Sequence, residues 1–463
     1  MAAAFKFEEE VAFEPERAEE ILRGIPALPG VFALYGAREG DEPYLTRTAD
    51  LRRRIQRILA PPESQSKRLN LREKVARIGY CVTGSEFESA LVLYDATAAQ
   101  FGHEKARKRL RLHTPFLLRF AVENAHPRAY VTNRISARAL NHLYGPFQSR
   151  AGAERYCDAV LDHFKLRRCY EDLVTSPEHP GCAYGEMKKC LRPCQEACSA
   201  EEYASEAATV KAFFDTHGES MMGTIAAERE AASADMNFEK AAARHAQWQK
   251  VKATAALADE IVRPLPKLRA LIVQGAAKAV DGGMDVSLFL VKGGCVAGPE
   301  RISTLGIRQA KEQTSVGSSL FAQPLMLQAV PLEDEGVAVQ VETPEVRLAA
   351  AIAALEAKAG DDTPETATLS DHLSLLRRWY YRPEKQRKGE IFFDAAGEWP
   401  VRRIMNGMAR VVRGESAAIA TEPPPMEIGG EPVKTKMLHA GREGVERPVA
   451  VIPRRKGKRK PAE

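Results

Sequence analysis

Five of the chain's eight cysteines, Cys169, Cys182, Cys190, Cys194 and Cys198, fall between positions 169 and 198. Cysteines packed this densely in a long chain are there for their sulfur chemistry. The spacing C-x12-C-x7-C-x3-C of Cys169, Cys182, Cys190 and Cys194 can bring four thiolates around one centre. Lys188, Lys189 and Arg192 lie among them, and positive charge favours the thiolate that a metal needs. Gly181 and Pro193 suit the turns between ligands. Structural zinc favours close C-x(2–4)-C pairs, and only Cys190/Cys194 and Cys194/Cys198 fit that window. A 4Fe–4S cluster also takes four cysteines and tolerates more varied spacing. Spacing alone leaves iron–sulfur and zinc open, with disulfides or unconnected thiols behind them.

The elements around this stretch set the context. A chain of 463 residues is long enough for about three domains. Its hydrophobic fraction of 44% is ordinary for a globular protein. Apolar runs such as SLFLV are short, far from the roughly 20 residues that span a bilayer, so no membrane partner is expected. The acidic start MAAAFKFEEEVAFEPERAEE has neither a basic n-region nor a long apolar core and does not read as a signal peptide. A cytoplasmic, reducing location is expected, which disfavours disulfides. Net charge is only +5, but cations concentrate in Arg47–Arg57, Lys105–Arg111 and the tail Arg454–Lys460. Such patches suit a phosphate backbone, although a solvated helix face has the same composition.

Taken in order, 1–21 is an acidic leader whose end runs into a short amphipathic helix, ERAEEILRGI, broken by Pro26, Pro29 and Gly30. GVFALYG reads as a strand, AREGDEP as a turn and Tyr44-Leu45 as a second strand. TADLRRRIQRIL has Leu51, Ile55, Ile58 and Leu59 at helical spacing. This order resembles the GIY-YIG nuclease domain over residues 22–118. Gly30-Val31-Phe32 stands at the GIY and Tyr44-Leu45-Thr46 at the YIG. The resemblance implies that Tyr44 assists an attacking water and that Arg47 and Arg54 stabilise the phosphate. It also implies that a glutamate holds Mg2+ or Mn2+. Arg52, Arg53, Arg57, Lys105, Arg107 and Lys108 are the candidate DNA contacts. The chain departs from the pattern at Phe32, Thr46 and Ile58. In the helix SEFESALVLYDA the metal-glutamate position is Leu93, with Glu88 and Asp95 nearby. The domain is therefore expected either to nick DNA or to bind it as an inactive adaptor.

Residues 119–200 read as two strands, FLLRF and PRAYVTNR, a YGPF turn, a helix from Ala151 to Phe164, and the cysteines. That order resembles the UvrC family of excinucleases. The resemblance implies a 4Fe–4S cluster on Cys169, Cys182, Cys190 and Cys194, with zinc as the alternative; Cys198 receives no role. Cys81, Cys157 and Cys295 read as small core residues.

Residues 201–262 are helical nearly throughout, with a capping box at Ser199/Glu202, a break at Gly218, and Phe238 and Trp248 as apolar anchors. ADMNFEKAA resembles the UVR motif, which implies a UvrB-like partner contacted through Phe238, Glu239 and Ala242. Residues 263–400 open with a Pro264/Pro266 linker, then strands with a Gly293-Gly294 turn, then helices at Pro344–Ala359 and Leu369–Tyr381. The cluster Arg377-Arg378-Trp379-Tyr380-Tyr381 reads as a helix end packing its aromatics, with base stacking as the alternative. Residues 401–463 end in a basic tail. Neither an RNase H-like nor a helix-hairpin-helix segment is recognised. The expected fold is α+β: a small mixed domain, a Cys-rich region, a helical hairpin and a β-rich and helical region. The expected function is DNA binding in nucleotide excision repair, with or without nicking. A zinc-bound scaffold unrelated to DNA is the third class.

Overall fold

The computed structural model describes residues 5–38, 40–61, 69–170, 173–277, 285–304, 306–307, 343–360, 364–395 and 397–414, together with short strands between 427 and 450. The chain divides into two units, 1–414 and 415–463. The second contains two antiparallel strand pairs, the longer joining Thr435–Ala440 to Val445–Ala450. The basic tail lies outside the described residues. The fold mixes helix and sheet, as expected.

The first unit is built on three four-stranded sheets. The first collects β1 (Glu9–Ala12), β2 (Gly30–Gly36), β3 (Tyr44–Thr48) and β4 (Val75–Val82), in the order β1-β4-β2-β3. Helix α1 (Ala18–Gly24) connects β1 to β2. Helix α2 (Leu51–Ile58) packs on one face, where Phe32 and Leu34 meet Leu51, Ile55 and Ile58. Asp50 caps it by accepting from the Arg53 backbone N–H. Helix α3 (Glu86–Phe101) covers the other face, burying Leu93 and Ala96 against Val31 and Ala33. This two-sided covering follows from the period-2 alternation of β2. The acidic leader contributes an edge strand, with Val11 paired to Ile78. Helix α4 (His103–Leu110) follows α3.

The second sheet begins with β5 (Phe116–Ala121), β6 (Arg128–Thr132) and β7 (Leu143–Phe147). The YGPF segment, expected as a turn, is strand β7, paired with β5 on one side. Proline is tolerated there because the β5–β7 register shifts between Phe116 and Leu118, where a ladder donor is not required. Helix α5 (Arg150–Leu161) and the short α6 (Ala183–Glu186) lead to three long helices: α7 (Ala200–Asp215), α8 (Glu219–Ala234) and α9 (Phe238–Ala255). The Ser199/Glu202 capping box is present in full. The expected Pro264/Pro266 linker is instead structured. β8 (Arg263–Pro264) closes the sheet beside β7, and Leu265 is fully buried.

The third sheet has the order β11-β10-β9-β12, from β9 (Arg269–Gly275), β10 (Asp285–Lys292), β11 (Cys295–Ser303) and β12 (Glu390–Phe393). Gly293 and Gly294, both at positive φ, make the two-residue hairpin between β10 and β11. Helices α10 (Pro344–Ala359) and α12 (Val401–Val412) pack on one face through Leu348, Ile352, Ile404 and Met408. Helix α11 (Thr366–Tyr380) lies on the other.

Helix α11 ties the sheets together. Its Leu369, Leu373, Leu376 and Trp379 join one continuous core with Phe87 and Tyr94 of α3, Tyr144 of β7 and Phe289 of β10. The Phe87 ring lies 5.3 Å from that of Phe289 and 5.2 Å from that of Trp379. Polar groups of α11 are also buried in this seam. Arg107 Nε sits 2.9 Å from Asp371 Oδ1, and the Tyr94 hydroxyl donates to Asp371 Oδ2 at 3.2 Å. The His113 amide donates to Ser374, and the Val296 amide donates to His372 Nδ1 at 3.0 Å. Gly84 must lack a side chain here, because a Cβ would fall within 2.3 Å of the backbone at Ala276 and Ala277 after β9. The basic–aromatic cluster at the end of α11 serves the same junction. Arg377 donates to the Phe147 and Gln148 carbonyls, Arg378 to the Leu110 and Arg111 carbonyls, and Trp379 is buried.

Candidate functional site

Three places in the first unit carry the predicted residues. The first is the open side of the β2–β3 pair. Tyr44 begins β3 and lies on the same face as Phe32, to which its ring is 6.2 Å. Arg54 is on α2, one turn past the Asp50 cap, so its guanidinium reaches across to donate to the Tyr44 hydroxyl at 3.1 Å. Tyr44 and Arg54 are therefore brought together. Arg47 is not placed with them. Strand alternation turns it to the α3 side, where Nη1 donates to the Glu86 carbonyl at 3.4 Å and Nη2 stands 3.4 Å from Glu86 Oε1.

The expected metal-glutamate position and the two carboxylates nearest it on α3 are not open to this face. Leu93 occupies the metal-glutamate position, is 9% exposed, and packs with Phe7, Val31, Ala33 and Cys81. Glu88 is buried, accepts from the Gly84 backbone N–H at 2.8 Å and faces Arg301 at 3.9 Å; burial pushes its carboxyl above the usual range. Asp95 lies two positions from Leu93 on another face of α3, and burial raises its carboxyl to about 7. Phe32 and Ile58 are buried in the α2 core, so neither offers a hydroxyl or an open edge.

The six expected DNA contacts divide. Arg53, Arg57 and Lys108 are exposed. Lys105 is exposed too, 3.7 Å from Glu42. Arg52 donates to the Ile25 and Arg23 carbonyls and holds the α1–β2 loop. Arg107 is turned inward to Asp371 and Thr114. Sequence reasoning missed Arg382, which donates to Glu86 Oε1 at 2.9 Å and stands beside Arg47 on the same carboxylate. The two partners are separated by 296 residues, so no local signal existed.

The second place is the cysteine loop. The Cys190 thiol lies within electrostatic reach of Cys182, Cys169 and Cys194, and Cys194 within reach of Cys182 and Cys169. Burial pushes Cys190 up to about 11, against a backbone N–H from Arg192 at 3.4 Å. Arg167 donates toward Cys169 Sγ at 3.7 Å. Lys188, Arg192 and Glu196 adopt left-handed backbone conformations between and after the ligand positions. Each such non-glycine residue costs on the order of 1 kcal/mol and persists where surroundings over-determine it. Cys198 stands beside Cys194 and packs against the core. Among the described residues, no three His, Cys, Asp or Glu side chains gather for a single metal ion.

The third place is the tip of the α8–α9 hairpin. Asn237 caps α9 by accepting from the Lys240 N–H, and Met236 turns the chain at positive φ. Phe238, expected as an apolar anchor and as a contact for a UvrB-like partner, is 69% exposed, beside Met236 at 77%. Further along α8 and α9, Ile225 and Val251 are buried in the core. Glu239 and Ala242 are exposed on the same first turns of α9. Trp248 is half-buried and stacks on His245.

Most of the second sheet, the cysteine loop and α7 lie in the stretch of the chain that resembles known proteins. The UvrC/Cho excinuclease middle-domain family matches residues 117–213. UvrABC system protein C of Idiomarina loihiensis is 25% identical over 225 residues, covering 49% of this chain and 36% of that relative. Its counterpart from Aliivibrio fischeri is 26% identical over 236 residues, covering 51% and 38%. The Carboxydothermus hydrogenoformans protein is 27% identical over 233 residues, covering 48% and 36%. The chain thus spans less than two fifths of the length of these curated relatives. No solved structure matches it significantly. Over this region the chain is similar to the UvrC family. Among the described residues no helix is long and apolar enough to cross a membrane.

Proposed function

We propose that this protein is a UvrC-like DNA-binding component of nucleotide excision repair that grips the phosphate backbone without cutting it. One observation carries the reading: Arg54 still reaches the Tyr44 hydroxyl, while the position of the metal carboxylate is a buried leucine. Phosphodiester hydrolysis by this route needs a carboxylate-held Mg2+ or Mn2+ to neutralise charge and activate water. Glu88 is held by the Gly84 backbone N–H and faces Arg301, and Asp95 is two positions out of register with Leu93. Arginine forks still match phosphate oxygens, so affinity survives the loss of chemistry.

Two further parts complete the proposal. Cys169, Cys182, Cys190 and Cys194 hold a 4Fe–4S cluster, which would supply a structural staple within the middle domain. Four thiolates on one zinc would stand about 3.8 Å apart, given Zn–S of about 2.3 Å. The support for the cluster is the four-cysteine spacing, which an iron–sulfur centre tolerates, and the electrostatic reach among the thiols. The exposed hairpin tip docks a UvrB-like partner, with Phe238 as the apolar anchor.

The test is fluorescence anisotropy with a labelled duplex across a salt series. Binding should be salt-dependent, and Arg54→Ala should weaken it. An Arg54→Ala protein that binds as tightly as wild type, with the same salt slope, would remove the phosphate-gripping role from this face.

A further inference from the structure

Glu86 holds two arginines that come from opposite ends of the chain. Arg382, just past α11, approaches as a fork: Nη1 reaches Oε2 and Nη2 donates to Oε1 at 2.9 Å. Arg47, on β3, comes to the same Oε1 at 3.4 Å. All three side chains are open to solvent, at 41% for Arg47, 36% for Arg382 and 54% for Glu86. The wall behind them is also cationic. Arg378 feels the charge of Arg47 and Arg377, and burial is the main force lowering its basicity. Arg377 and Arg378 donate to backbone carbonyls, whereas Arg47 and Arg382 both meet the Glu86 carboxylate, Arg47 beside its bond to the Glu86 carbonyl.

A carboxylate bound by one arginine fork and touched by a second occupies the geometry that a phosphodiester would take. Such a surface pair contributes little to stability in high dielectric and is readily exchanged. We propose that Arg47 and Arg382 form a two-armed clamp for a DNA backbone phosphate, with Glu86 as the built-in anion that the phosphate displaces. This rests on the DNA-binding reading above and extends it: the grip is shared between the first sheet and the segment after α11. The buried α11 seam sets the distance between the two arms, so the clamp needs the whole first unit.

Equilibrium binding of the full chain to a labelled duplex tests this, for wild type, Arg382→Gln and Glu86→Gln. A clamp makes the two substitutions act in opposite directions. Arg382→Gln removes one arm. It should weaken binding about tenfold at low salt and reduce the slope of log K against log salt by roughly one phosphate contact. Glu86→Gln removes the competing anion and should tighten binding severalfold, on the order of the charge-assisted bond it frees. A structural ion pair would respond differently, since both substitutions break it and both would move binding in the same direction. Same-direction or absent effects, with urea midpoints unchanged, would overturn the clamp while leaving DNA binding standing. If wild type fails to bind DNA at any salt, the DNA-binding reading falls and the clamp falls with it.

Discussion

Replacing Arg107 with methionine keeps most of the stem but removes the charge beside Asp371. Asp371 is 1% exposed and its partner 36% exposed, so the pair is buried on one side only. Neither Arg107 Nε nor Asp371 Oδ1 has an aligned hydrogen-bond partner, so their 2.9 Å contact acts through charge. Removing one partner of a fully buried pair costs about 3–5 kcal/mol. The open side of Arg107 lowers the expectation to about 2–3 kcal/mol at pH 7. The Tyr94 hydroxyl remains as a donor and cannot neutralise the carboxylate.

The pH dependence supplies the sharper check. Burial already raises the Asp371 carboxyl, opposed by Arg107. A carboxyl raised in the folded state contributes stability below its unfolded pKa and loses it as pH climbs through the folded value. Without Arg107 the folded value climbs further, so the deficit of the variant grows with pH. The limiting slope is about 1.4 kcal/mol per pH unit. Urea unfolding followed by fluorescence of the buried Trp379 should show a large deficit at pH 7 that shrinks by pH 5. Adding Asp371→Asn should recover most of it, because asparagine can keep the Tyr94 bond without a charge. A deficit that is flat with pH, or a double variant as unstable as the single, would refute this explanation of the seam.

Three other outcomes follow from the same structure. Phe238→Ala should weaken binding to a UvrB-like partner by about 2 kcal/mol, roughly thirtyfold, in calorimetry, with the urea midpoint unchanged because the ring is exposed. Anaerobically purified protein should show visible charge-transfer absorption that Cys190→Ser abolishes and Cys81→Ser keeps; a colourless protein containing zinc would contradict the cluster. Asp95 is raised to about 7 by burial, so its contribution is full below about pH 4 and is lost as pH rises toward 7. Asp95→Asn should therefore stabilise the protein at pH 8 and leave it unchanged at pH 4, read from urea midpoints.

Local chemistry was the legible part of this chain. Ser199 and Glu202 spell their capping box, and Gly293-Gly294 spells its hairpin, because each motif closes within a few residues. The helical hairpin at Phe238 was legible as helices, and the ring expected to meet a partner is exposed. Strand β4, VARIGYCV, and the pairing of the acidic leader with it were missed. The leader's charges hid a short edge strand that needs only a backbone partner. The YGPF segment reads as a turn from its Gly-Pro pair, and a register shift in β5 makes it a strand. The candidate site split the same way. Tyr44 and Arg54, ten positions apart, are expected in one site from the GIY-YIG resemblance, and the hydrogen bond between them agrees. Arg382 on Glu86 and Asp371 on Tyr94 could not be foreseen, since loops of 296 and 277 residues close only when α11 packs.

As proposed above, this face binds DNA without cutting it. Supercoiled plasmid incubated with the purified chain, Mn2+ and a UvrB-like partner, with nicked circles resolved from closed ones beside a parallel binding assay, puts both halves of that statement to the test. Bound plasmid that stays closed is the expected result. Nicked circles from wild type that disappear with Arg54→Ala would contradict it, and would mean that a carboxylate other than the one expected at Leu93 serves the metal.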